Sequence, residues 1–99
     1  MAPRDKEIFP MATLFVRHQV ADYAAWRRVY DALGPTQKAG GVTAEAVYQA
    51  VDDPNNLTVT HEFATLQAAQ AWAASPELRT AMHDAGVVGA PTIWFTSRV

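Results

Sequence analysis

Along this chain the spacing of the apolar side chains switches between two residues and about 3.6, and the order of the switches leaves few folds open. Thr13 to Val20 alternates and is rich in β-branched and aromatic residues, which predicts a strand. Asp22 follows as a helix N-cap, and Tyr23, Trp26, Tyr30 and Leu33 then recur at spacings of 3, 4 and 3, one helical face. Gly34-Pro35 interrupts that helix, because proline removes a backbone donor and clashes with the preceding turn. The regular helix should end by about residue 34, with the stretch to Gly41 forming a separate turn or short helix over the mouth of a pocket. Thr43 to Val51 and Leu57 to Phe63 alternate again, joined by Asp52-Asp53-Pro54-Asn55-Asn56, a run of turn formers. Thr65 caps a second helix with Leu66, Ala69, Trp72 and Ala73 inward. Ser75-Pro76-Glu77 restarts it with a cap, a first-position proline and a first-turn acid, and Leu78 and Met82 continue its inner side. Gly86 is a helix stop, and Thr92 to Val99 is the last strand.

The order β-α-β-β-α-β predicts an α+β fold of the ferredoxin-like, split-βαβ plan: one four-stranded antiparallel sheet with two helices on one face and strands one and three at its centre. Residues 12–99 form a single domain, and residues 1–11, with mixed charges and no period, read as an N-terminal tail. The chain has 99 residues, and 19 of its apolar residues are alanine, so its own core is thin and a partner subunit is expected. Eight basic against ten acidic residues, net −2, argue against a nucleic-acid partner. With no cysteine, disulfides, thiolate catalysis and Cys-based metal sites are excluded. No apolar run approaches the ~20 residues of a membrane span, so a cytoplasmic protein without membrane contact is expected.

Alternation gives the sheet two faces. Leu14, Val16, His18, Val20, Val47, Val51, Leu57, Val59, His61, Phe63, Ile93 and Phe95 make an apolar face assigned to the helices. The other face mixes Phe15, Tyr48 and Trp94 with Arg17 and Glu62, a composition suited to a polar homodimer interface in which Arg17 and Glu62 pair. His18 and His61 are the two odd residues of the apolar face, on adjacent central strands, and Trp26, Tyr30 and Trp72 come toward them from the helices. Aromatic walls with a few polar groups are what a small-molecule pocket needs. His18 and His61 are therefore the candidate catalytic residues, and Trp26, Tyr30 and Trp72 the candidate substrate walls. A neutral imidazole can take a phenolic or α-proton near pH 7, so His18 is the preferred general base, with His61 orienting substrate or a water.

Phosphate-binding loops, dinucleotide fingerprints and nucleophile elbows are absent. Three scattered histidines give no metal-ligand spacing, and His83-Asp84 reads as a solvated helix end. Glu62 is the one acid assigned to a strand interior, and it faces away from the pocket.

The runs LFVRHQVADYAAWRRVYD and LTVTHEFATLQAAQAWAASPELRTAM, above all Glu62 to Leu78, resemble the dimeric α/β-barrel superfamily, in the branch of antibiotic biosynthesis monooxygenase-like proteins loosely termed cyclases. The resemblance spans about residues 12–99. It implies two ferredoxin-like protomers packed sheet to sheet into an α/β barrel, each with its own pocket between sheet and helices. It further implies a cofactor-free monooxygenase or cyclase acting on an aromatic or polyketide-like metabolite, with no metal. A non-catalytic ligand-binding or stress-associated protein is the alternative, and a haem-binding or haem-degrading protein a third. The haem-degrading branch is similar at Trp72, but its axial histidine falls near Met82, with His83 one position off. The plant polyketide cyclase's catalytic histidine falls at Leu78.

Overall fold

The computed structural model describes residues 11–99, so the expected tail lies, but for Met11, outside the described residues. Strand β1 (Ala12–Val20) leads through Asp22 into α1 (Tyr23–Ala32), whose first turn is capped by the Asp22 carboxylate accepting from the Ala25 amide. The helix stops where proline requires it: α2 (Gly34–Ala39) is a separate short helix with Pro35 in its first turn. Strands β2 (Val42–Ala50) and β3 (Asp53–Phe63) form a hairpin. Thr65 caps α3 (Leu66–Ala73), Ser75 caps α4 (Pro76–Asp84), and Gly86, at φ 81°, turns the chain into β4 (Val87–Ser97). The Ser75 hydroxyl donates to the Trp72 carbonyl and accepts from the Leu78 amide, fixing the angle between α3 and α4.

The sheet is antiparallel in the order β2-β3-β1-β4, with the helices on one face, as the ferredoxin-like plan requires. Leu14, Val16, Val20, Leu57, Val59 and Phe63 are all buried beneath the helices. On the opposite face Phe15 and Trp94 stack at 5.1 Å, and Tyr48 is 57% exposed.

Four local expectations need correction. The turn is only Val51-Asp52, and Val51 is fully exposed there rather than inward. The polar residues expected to form the turn instead make tertiary hydrogen bonds: Gln19 donates to Asp53, Arg17 to Asn56, and the Tyr23 amide to Asn55. Arg17 does not face Glu62, because the β1–β3 register sets Arg17 against Thr58 and Glu62 against Thr13. Strand β4 begins at Val87, five residues earlier than expected, since Val87 and Val88 pair with Val20 and Gln19. Leu66 is exposed, and Ala69 and Trp72 carry the inner face of α3.

One close approach locks Trp72 in place. A Cβ built on Gly40 would stand 2.6 Å from the Trp72 ring, although φ −80° at Gly40 suits any residue. Gly40→Ala is therefore expected to destabilise the fold by about 1–3 kcal/mol through overpacking alone. A denaturant midpoint equal to that of the parent chain would contradict this.

Candidate functional site

Helix α1 turns Trp26 and Tyr30, four residues apart, onto the sheet, where they meet the two histidines. Trp26 meets His18 edge-on at 5.9 Å and stacks on Tyr30 at 4.7 Å. Tyr30 lies over His61 at 6.1 Å, and His61 is tilted against Trp72 at 6.2 Å. The row runs His18–Trp26–Tyr30–His61–Trp72. Its two imidazoles share a face but not a position. His18 pairs with Leu57 and His61 with Leu14, four residues apart, which is about 13 Å along the strands. They cannot act on one proton.

Their surroundings differ as well. The Trp72 indole N–H donates to His61 Nδ1 at 3.1 Å, and indole nitrogen only donates. A neutral His61 must then carry its hydrogen on Nε2, which lies 3.1 Å from the Tyr30 hydroxyl. That hydroxyl in turn donates to Glu45 Oε1 at 2.5 Å. The chain of donors runs Trp72 to His61 to Tyr30 to Glu45, with both imidazole nitrogens occupied. Burial pushes the His61 pKa down to about 4, only partly opposed by the Glu45 charge. Burial first, then the hydrogen bond and charge of Glu45, raise the Tyr30 pKa well above the usual phenol value, while the Gln37 amide and Arg27 pull the other way. His61 and Tyr30 are both neutral near pH 7.

Glu45 is the residue the sequence reading missed. It stands directly across the β2–β3 ladder from His61 and shares parity with Val47, which was assigned to the helix face. That parity was the available signal; Glu62 is not the sole acid within a strand.

His18 is buried, at 6% exposure, yet neither ring nitrogen has a hydrogen-bond partner among the described residues. Burial lowers its pKa, so its neutral form dominates near pH 7. It lines an apolar cavity of about 30 Å³, with Trp26, Tyr30 and His61 among the other walls. Trp72 does not line this cavity; it stands behind His61 as its hydrogen-bond donor. Nor does α2, expected over the pocket mouth, line the cavity itself: it borders a groove on the Glu45 side and, through Thr36, the groove between α1 and α4 that adjoins the cavity. His83 is exposed, outside the cavity. No three His, Cys, Asp or Glu side chains converge among the described residues, and no described helix is long and apolar enough to cross a membrane.

The sequence profile of the antibiotic biosynthesis monooxygenase family matches residues 12–84. No curated protein matches the chain. Among solved structures, a Bordetella bronchiseptica protein named for that family superposes with a TM-score of 0.78 at 12% identity, covering 91% of this chain and 98% of that one. A Caulobacter crescentus protein, likewise named for the family, gives 0.73 at 18% identity with 92% of each chain covered. A single-residue variant of SnoaB, a cofactor-independent oxygenase from Streptomyces nogalater, gives 0.72 at 13% identity, with 90% and 93% covered. At these identities the superpositions speak for the fold.

Proposed function

The chain belongs to the antibiotic biosynthesis monooxygenase family, and from that premise we propose that it is a homodimeric, cofactor-independent oxygenase of a small aromatic, polyketide-like metabolite, with His18 as general base. One observation carries the reading: a buried neutral imidazole with both nitrogens unpartnered among the described residues faces a cavity walled by Trp26 and Tyr30. Such a group can take the proton of a phenol, and burial keeps it neutral while doing so.

The chemistry balances with dioxygen as co-substrate. The phenolic O–H passes its proton to His18, and the electron density released into the ring adds dioxygen at a ring carbon. The O–O bond then breaks as the carbon loses its hydrogen. One oxygen stays in the quinone and the other leaves as water with the proton returned by His18. All four electrons that reduce dioxygen come from the substrate. Trp26 and Tyr30 act as walls. His61, held from both sides, acts by keeping Tyr30 in place.

The dimer is supported by the exposed sheet face with its Phe15–Trp94 stack and Tyr48, a patch that a second copy would cover. Light scattering is expected to give twice the chain mass at micromolar concentration, and a monomer mass would refute the assembly. An oxygen electrode tests the reaction: with 1-naphthol, whose para carbon is open, one dioxygen should be consumed per 1,4-naphthoquinone formed. A second reading is a ligand-binding protein without turnover: the cavity, at about 30 Å³, has room for about one water-sized molecule, which leaves the ligand in an adjoining groove out of reach of His18. Under this reading 1-naphthol binds beside the cavity and no oxygen is consumed.

A further inference from the structure

The His18 cavity is far smaller than an aromatic ring system requires, so the way in is a structural question of its own. Among the described residues three grooves share walls with it, but the one on the Glu45 side shares only Tyr30, which its hydrogen bonds to Glu45 and His61 hold in place; two others remain. One, of about 480 Å³, follows the seam between α1 and α4 and shares Val29, Leu33 and Ala81 with the cavity. The other, of about 340 Å³, lies between α4 and the edge strand β4 and shares Leu78 and Met82.

Three observations favour the second. The first is charge. The seam between α1 and α4 is lined by two acids, Glu77 and Asp84, whereas the lining of the α4–β4 groove includes Arg79 and no acid. The second is the partition itself. Leu78 is buried and stays, but Met82 beside it is half-buried and unbranched, able to swing aside at small cost; in the other partition Val29 is stiff at its first side-chain torsion and Ala81 has only a methyl group, with nothing to swing aside. The third is the floor. The β1–β4 ladder runs in register up to Arg17↔Thr92 and resumes at Gln19↔Val88, so Gly89-Ala90-Pro91 bulges out opposite His18 alone. Gly89, at φ 74°, has open space where a side chain would be, and Pro91 offers no amide to the ladder. The sheet is thus interrupted beside the one buried imidazole with unpartnered nitrogens among the described residues, and Gly89 and Pro91 line the groove.

The geometry points to the α4–β4 groove as the vestibule of the His18 cavity, taking a planar aromatic that carries a carboxylate or ionised phenol, with Arg79 as its anion partner and Met82 as the movable partition. This rests on reading the cavity as the reaction site. The groove's volume lies within the roughly 300–1,000 Å³ of small-molecule sites. Arg79 selects for a negative ligand at the rim, and Met82 sets how large a ring can pass to His18.

The test uses the full chain and two probes, 1-hydroxy-2-naphthoate and neutral 1-naphthol, followed through the His18 ring and Met82 methyl resonances. Both signals should shift with either probe. Arg79→Gln, at an exposed position, should weaken the naphthoate about tenfold or more and leave 1-naphthol unchanged. Met82→Trp should abolish the His18 shift for both probes, and Met82→Ala should speed association several-fold. Equal naphthoate affinity in Arg79→Gln would overturn the proposal. So would a His18 shift that survives Met82→Trp, which would move the way in to the seam between α1 and α4, and so would the absence of any shift with either probe. If the shifts appear as expected and no oxygen is consumed, the oxygenase reading falls and the vestibule stands.

Discussion

With His18 replaced by alanine, oxygen uptake with 1-naphthol is expected to fall by about 100-fold or more, the low end for loss of a general base. Stability should change little. Neither nitrogen of His18 has a partner among the described residues, so the substitution breaks no hydrogen bond and removes two buried polar atoms that are costly to leave unmet. The small cavity it adds offsets that gain. A core histidine without catalytic duty would give the same stability result but no loss of turnover. His18→Gln, which keeps polarity but not basicity, should be as inactive as alanine. The pH profile gives a second readout. His18 acts in its neutral form, and its pKa lies below 6.5, so the active plateau should extend to lower pH than a free imidazole allows. Activity that halves near pH 7 would assign the base to another group.

Mild acid should cost this protein an unusual share of its stability. His61 is neutral in the fold with a pKa near 4, against 6.5 when unfolded. Between those values the unfolded chain binds the proton and the folded chain does not, so stability is complete above about pH 6.5 and declines as pH falls toward 4. One such group costs about 1.4 kcal/mol per pH unit at most, on the order of 3 kcal/mol over the interval. His18, shifted the same way by burial, adds to the slope. A domain of this size holds only about 5–15 kcal/mol in total. Urea unfolding at pH 7 and pH 5 measures the difference, and equal midpoints would refute it. His61→Gln offers a sharper comparison: its amide can accept from Trp72 and donate to Tyr30, as neutral His61 does, and cannot titrate. That variant should flatten most of the slope while retaining the fold.

Period and caps were enough to read the fold from the residues. Asp22, Thr65 and Ser75 each cap the helix they announce, and Gly34-Pro35 breaks α1 where proline's missing donor requires. The start of β4 was hidden by Gly89-Ala90-Pro91, which interrupts the pattern between Val88 and Thr92, and that of β3 was not legible, because Asp53, Asn55 and Asn56 favour a turn locally but find partners 32 to 39 residues away. Tertiary hydrogen bonding overrides turn propensity there, and no local pattern shows it. At the candidate site, parity along the strands and the 3–4 spacing of α1 bring His18, His61, Trp26 and Tyr30 into one layer. Neither could supply the register, which separates the two imidazoles by four residues and gives them different surroundings. Glu45 was within reach of the same parity argument, but an acid in an otherwise ordinary edge strand carries no signal until its ladder partner is known.

The hydrogens of the row from Trp72 to Glu45 have only one arrangement. An indole at one end can only give, a carboxylate at the other can only take, and His61 and Tyr30 between them are left no choice. Reversing the row would need every member to turn round, and Trp72 cannot. The row therefore keeps one polarity, which fixes the His61 tautomer and aims the Tyr30 hydroxyl at Glu45 whatever enters the cavity. His18 is bonded to no member of the row, so its nitrogens stay open to the cavity alone.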